Sequence, residues 1–118
     1  MELFPKFLEN KRQLAAIYRN FFEEIGINFI SEMTDCRSNY WLNTIILKDG
    51  NERDEFLQYA HSNGVMCRPL WRLMNNLQMF AQCQTDDLVN AKWLEERVVN
   101  IPSSVRVEAE SEKLKAVR

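Results

Sequence analysis

Apolar residues at the start of the chain fall at Phe4, Phe7, Leu14, Tyr18, Phe21 and Ile25, close to a heptad spacing, and Leu8, Ala15, Ile17 and Phe22 widen the stripe. The spacing predicts a long amphipathic helix with Pro5 in its first turn, Gly26 as its stop and Lys11 interrupting its apolar side. The period then drops to two. Ile27 to Met33 reads as a first strand, and Ser38 to Leu47, ended by Lys48-Asp49-Gly50, as the central one. Alternation puts Tyr40, Leu42, Thr44 and Ile46 on one face of the central strand and Trp41, Asn43, Ile45 and Leu47 on the other. Both faces are largely apolar, so both require cover, and Leu42 and Ile46 are expected among the costly core positions.

Helical spacing returns after the turn. Asn51 is the expected cap, Phe56, Leu57 and Ala60 the buried side, and Asn63-Gly64 the end. Val65 to Trp71 reads as a third strand closed by Pro69, which has no N–H for a ladder. Arg72 to Phe80 is apolar without clean periodicity and leaves room for one short helical turn, in the kind of loop that often carries a site. Thr85-Asp86-Asp87 opens a last helix with Leu88, Ala91, Leu94 and Val98 as its stripe, and Val99 to Ser104 forms a short extended segment. The implied fold class is α/β, a two-layer sandwich in which a small antiparallel or mixed sheet of three to four strands carries the long first helix and two further helices. One domain is expected over residues 1–118, with the lead helix in 1–25 and a polar tail, weakly helical or frayed, over 106–118.

Length and composition narrow the function classes. A chain of 118 residues suffices for one core without disulfides or metal. Fifteen basic and 17 acidic residues are interleaved to a net charge of -2, leaving no basic stripe for nucleic acid. Cys36, Cys67 and Cys83 are an odd set at irregular spacing with a single histidine, His61, so free thiols and no metal site are expected. His61, near a helix end, reads as a satisfied or solvent-facing side chain. The N-terminus lacks a basic region followed by an apolar one, and no run approaches the roughly 18 apolar residues of a membrane span, so a cytoplasmic protein without membrane contact is expected.

Six segments in order carry a resemblance: Tyr40-Trp41-Leu42-Asn43-Thr44, Asn63-Gly64-Val65, Arg68-Pro69-Leu70-Trp71, Asp87-Leu88, Ala91-Lys92-Trp93-Leu94-Glu95 and Val99-Asn100-Ile101-Pro102-Ser103-Ser104. From about Leu3 to Val105 the chain resembles the C-terminal small domain of the DegT/DnrJ/StrS family, PLP-dependent aminotransferases that act on nucleotide-linked keto-sugars. The closest likeness is to the bacterial branch that makes amino sugars for surface glycans. The resemblance departs from the pattern at Asn75 and Gln78, where relatives commonly carry histidine and proline.

The resemblance implies that Arg68, Trp71 and Asn43 face the substrate, Arg68 against a diphosphate and Trp71 against a base or sugar. Taken on their own residues, Arg68 reads as a surface arginine and Trp71 as a core tryptophan. The family's cofactor, PLP, requires an imine-forming lysine, an acid against the pyridine nitrogen and a phosphate cup. Lys6, Lys11, Lys48, Lys92, Lys113 and Lys115 all read as solvated surface, and the three glycines, Gly26, Gly50 and Gly64, sit at element boundaries rather than in a phosphate loop. No catalytic residue and no cofactor site is expected in this chain. The expected roles are a non-catalytic aminotransferase small domain, a subunit completing an aminotransferase site on another chain, or a small-ligand-binding or assembly module. Because the resembled domain is normally packed against a PLP-binding domain, either such a domain on another chain or a homodimer is the expected partner.

Overall fold

The computed structural model describes residues 3–106. The polar tail expected over 106–118 lies, but for Arg106, outside the described residues. Helix α1 runs Phe4–Glu24 with Pro5 in its first turn. It ends at Gly26, whose φ of 75° is the left-handed conformation that glycine adopts without steric cost. There Gly26 N–H donates to Glu23 O at 3.2 Å and Ile27 N–H to Phe22 O at 2.9 Å, so two otherwise orphaned carbonyls are satisfied. The buried face of α1 is Leu14, Ala15 and Phe22, with Tyr18 packed beside them, while Phe4, Phe7, Phe21 and Ile25 are exposed. A heptad stripe rotates off the core on a straight helix of 3.6 residues per turn, and a helix of about 31 Å overhangs the short sheet at its ends.

Strands β1 (Asn28–Phe29), β2 (Asn43–Ile46), β3 (Arg68–Pro69) and β4 (Val98–Ile101) form one antiparallel sheet in the order β1-β2-β4-β3. The expected central strand is central, but it starts at Asn43 rather than Ser38. Ser38 Oγ accepts from Tyr40 N–H and Asn39 Oδ1 from Trp41 N–H, both at 3.0 Å, and Tyr40 sits at φ 46°. These side-chain turns compete successfully with the ladder. Leu42, 41% exposed, lies with Thr44 on the open side of the sheet, whereas Ile45, on the side that the helices cover, is 0% exposed. β1 and β3 are likewise shorter than the alternation predicts. Pro69 lies within β3, tolerated because that strand is an edge.

Helix α2 (Gly50–Ser62) is capped by Asp49, not Asn51: Asp49 Oδ1 accepts from Glu52 N–H at 2.8 Å, and Glu52 Oε2 accepts in return from Lys48 N–H at 2.9 Å. Gly64, at φ 74°, closes its end as expected. Two 3-10 turns, Met74–Asn76 and Gln78–Phe80, occupy the stretch where one was expected. Helix α3 (Val89–Arg97) starts four residues after Thr85, because Asp86 Oδ1 takes Leu88 N–H at 2.8 Å and holds Leu88 left-handed.

Phe22 of α1 and Ala60 of α2 meet Ile45, Leu47, Cys67, Val99 and Ile101 in one cluster, so both helices cover the same sheet face and the fold is the expected two-layer sandwich. The opposite face carries Thr44, Asn100 and Arg68 in register across three strands. That face is where the structure opens.

Candidate functional site

The open face meets the segment after β4 in a cleft of about 430 Å³, lined among others by Lys11, Trp41, Arg68, Trp71, Asn100 and Ser104. A second, more apolar trough of about 330 Å³ continues from it across Thr44, toward Ile30, Leu70 and Leu94, and shares Trp41, Leu42, Trp71 and Asn100 with the first. Between them, Thr44 Oγ1 donates to Asn100 Oδ1 at 2.8 Å and fixes the orientation of that amide.

Arg68 and Trp71, expected to face a ligand, are brought together here. Arg68 sits on the edge strand with, among the described residues, only Met66 Sδ, at 3.8 Å, against its guanidinium. Trp71 is 71% exposed, so it is not a core tryptophan. Asn43 is placed differently: it pairs with Ile101, 1% exposed, on the core face rather than the cleft face. Its N–H donates to Ser103 Oγ at 2.7 Å and its Nδ2 to the same atom at 3.2 Å, while Ser103 Oγ donates to Ile101 O at 2.7 Å. Asn43 thus supports the 102–104 wall from behind, and its Oδ1 has no hydrogen-bond partner among the described residues. Ser103, donating and accepting in that network, is a structural hydroxyl.

The residue that sequence reasoning missed is Lys11. Rather than lying in solvent, it reaches from α1 into the cleft, donating from Nζ to Ser103 O at 2.6 Å and to Trp41 O at 3.3 Å. Burial holds its pKa below the usual lysine value. Its signal was the break it makes in the apolar stripe. Trp41, 64% exposed, and Asn100 also line the cleft, and both belong to segments that carry the family likeness. Among the described residues no carboxylate lines the cleft, so its electrostatics favour an anion, and its two exposed indoles favour a flat or apolar group.

The described residues of the cleft do not supply the partners that PLP takes. Among the described residues, the one lysine in the cleft gives its ammonium to two main-chain carbonyls, and no acid stands where a pyridine nitrogen would need one. Among the other titratable groups, His61 Nε2 lies 2.7 Å from Cys67 O, a satisfied histidine as expected, and burial pushes the Cys67 thiol up, away from the reactive thiolate. No helix among the described residues is long and apolar enough to cross a membrane.

The model of the DegT/DnrJ/EryC1/StrS aminotransferase family matches residues 1–117. EpsN of Bacillus subtilis (strain 168), named as a pyridoxal phosphate-dependent aminotransferase, is 26% identical over 81 residues, which are 68% of this chain and 21% of EpsN. The sugar aminotransferase CalS13 from Micromonospora echinospora superposes with a TM-score of 0.77 at 19% identity, over 96% of this chain and 30% of its own. Helicobacter pylori PseC, an aminotransferase involved in the biosynthesis of pseudoaminic acid, superposes with a TM-score of 0.81 at 15% identity, over 98% of this chain and 32% of its own. The two superpositions establish the fold. The chain therefore spans about a fifth to a third of the length of these relatives.

Proposed function

The chain belongs to the DegT/DnrJ/EryC1/StrS aminotransferase family, and from that premise we propose that it is the substrate-binding wall of a PLP-dependent sugar aminotransferase, equivalent to the family's C-terminal domain. On this reading it binds the nucleotide-linked keto-sugar, in the cytoplasm, for the synthesis of surface glycans. The cofactor and the imine-forming lysine belong to protein outside residues 3–106. The observation that carries the reading is the meeting of Arg68 and an exposed Trp71 in a cleft that no carboxylate of the described residues lines. A guanidinium with no acid partner is suited to a phosphate, and an exposed indole beside it to a base or sugar ring. The misfit of PLP to the same cleft supports a division of labour, in which these residues hold substrate and leave chemistry to the rest of the enzyme.

Calorimetric titration with a UDP-linked N-acetyl sugar tests this. Saturable binding is expected, weakened about tenfold or more by Arg68→Ala, which removes a charge-assisted contact, and by Trp71→Ala, which removes the stacking surface. Both side chains are exposed, so both variants are expected to melt like the parent. Absence of binding, or binding indifferent to both substitutions, overturns the assignment.

A further inference from the structure

We propose that Lys11 is the positioning residue of Trp41: its ammonium fastens the Trp41 main chain to a segment that α1 holds, so that the indole stands as a steady wall of the cleft. What that wall does for a ligand rests on the substrate-wall reading, whereas the fastening itself stands apart from it.

Trp41 lies between two buried anchors. Tyr40 before it and Asn43 after it are buried, while Trp41 and Leu42 are exposed. The ladder of β2 with β4 begins only at Asn43, so the sheet holds neither main-chain group of Trp41. Its N–H donates to Asn39 Oδ1 at 3.0 Å, inside the same loop, and its carbonyl accepts from Lys11 Nζ at 3.3 Å. Among the described residues, Lys11 is therefore the one hydrogen-bond tie from Trp41 to another element. The backbone just before it, at Tyr40, is left-handed with φ 46°, a conformation that a tyrosine keeps only where its surroundings hold it.

The other end of the tie is fastened several times over. Lys11 Nζ donates to Ser103 O at 2.6 Å, Tyr18 Oη donates to Pro102 O at 2.9 Å, and Asn10 exchanges two bonds with the main chain of Arg106, at 2.9 and 3.0 Å. All three side chains come from α1, and Asn43 N–H adds a bond to Ser103 Oγ from the core side. The arrangement is asymmetric. Without the Lys11 ammonium, residues 102–106 keep Tyr18, Asn10 and Asn43, whereas Trp41 keeps only Asn39 of its own loop. Lys11 and Trp41 also line both the cleft and an apolar hollow walled by Phe4, Phe7 and Leu8. An unfastened indole thus has apolar surface to lean on away from the cleft. A cationic donor suits the task, because its bonds to carbonyls are stronger than those of a neutral one.

The test is amide hydrogen exchange on the full chain. Lys11→Met, which keeps an apolar stem and removes the donors, is expected to raise exchange at least about tenfold across residues 39–43, as loss of a charged hydrogen bond implies, and to leave 101–106 near the parent. Asn10→Ala should do the reverse, and Lys11→Arg should restore protection to 39–43. In the unsubstituted protein, the Lys11 ammonium protons should exchange more slowly with water than those of the exposed Lys6 and Lys48, a readout that needs no variant to fold. Exchange across 39–43 that Lys11→Met leaves unchanged, an equal rise in both segments, or a Lys11 ammonium as labile as that of Lys6 overturns the fastening. Calorimetry with the UDP-linked N-acetyl sugar then separates positioning from contact. Lys11→Met should weaken binding in the parent and add nothing on top of Trp41→Ala, because it acts through the indole. Additive losses would mean that Lys11 meets the ligand itself and overturn the positioning role. If the parent binds no sugar nucleotide, the substrate wall fails, while the exchange pattern still decides the fastening.

Discussion

Glu32 holds the loop that delivers Trp41 to the cleft. Arg12 donates to both of its oxygens, at 2.9 and 3.0 Å, Ser38 N–H donates to Oε2 at 2.8 Å, and the Arg12 guanidinium lies 5.7 Å from the centre of the Tyr40 ring. The Arg12 hydrogen bond, then that from Ser38, pulls the Glu32 carboxyl down to about 2. A carboxyl depressed on folding stabilises above its unfolded pKa and loses that contribution as pH falls through the folded one. Glu32→Gln is therefore expected to lower the melting temperature at pH 7, with the gap to the parent shrinking between about pH 4.5 and 2 and closing below. A gap constant across that window in thermal melts would show that charge is not what Glu32 contributes. Nothing in the sequence marks the pair, because residues 20 apart on a helix and an irregular loop share no period. Lys11 does leave a mark, as a charge inside an apolar stripe, but the stripe does not say that it points into a cleft.

At the scale of elements, periodicity gives the order and type of the helices and strands, and local side-chain chemistry decides where they begin. The long helix, the central strand, Gly26, Gly64 and the short last strand all stand where the pattern puts them. Ser38, Asn39 and Asp86 shift the starts of β2 and α3 by bonding their own backbone, a competition that apolar spacing does not register. Which face the helices cover decides the core, and that is the Ile45 face. Ile45→Ala is expected to cost about 2 to 5 kcal/mol as a fully buried truncation, while Leu42→Ala costs under about 1 kcal/mol. Denaturant melts of the two variants decide it, and a Leu42→Ala loss as large as that of Ile45→Ala would mean that the face of β2 carrying Thr44 is covered in solution.

For the molecule as a whole, the six ordered segments identify the family, and the family model spans nearly the whole chain. What they leave out is which surface meets what, because apolar residues kept for an interface look, in sequence, like residues kept for a core. Phe4, Phe7, Phe21, Ile25 and Met33 are exposed, and Phe4, Phe7 and Leu8 with Trp41 line an apolar hollow of about 270 Å³ at the start of α1. Exposed apolar surface on that scale marks contact with other protein. In a preparation of this chain alone, the other protein available is a second copy, and a net charge of -2 opposes that contact weakly. We predict a dimer that closes over the first turns of α1. Light scattering after gel filtration should give about twice 14.0 kDa, and Phe7→Glu, which adds a charge at a half-exposed position outside the core cluster, should return the mass to one chain. A parent mass of one chain at high concentration would mean that α1 needs no second copy to cover it, and a Phe7→Glu dimer would move the contact to the sheet face beyond Trp41.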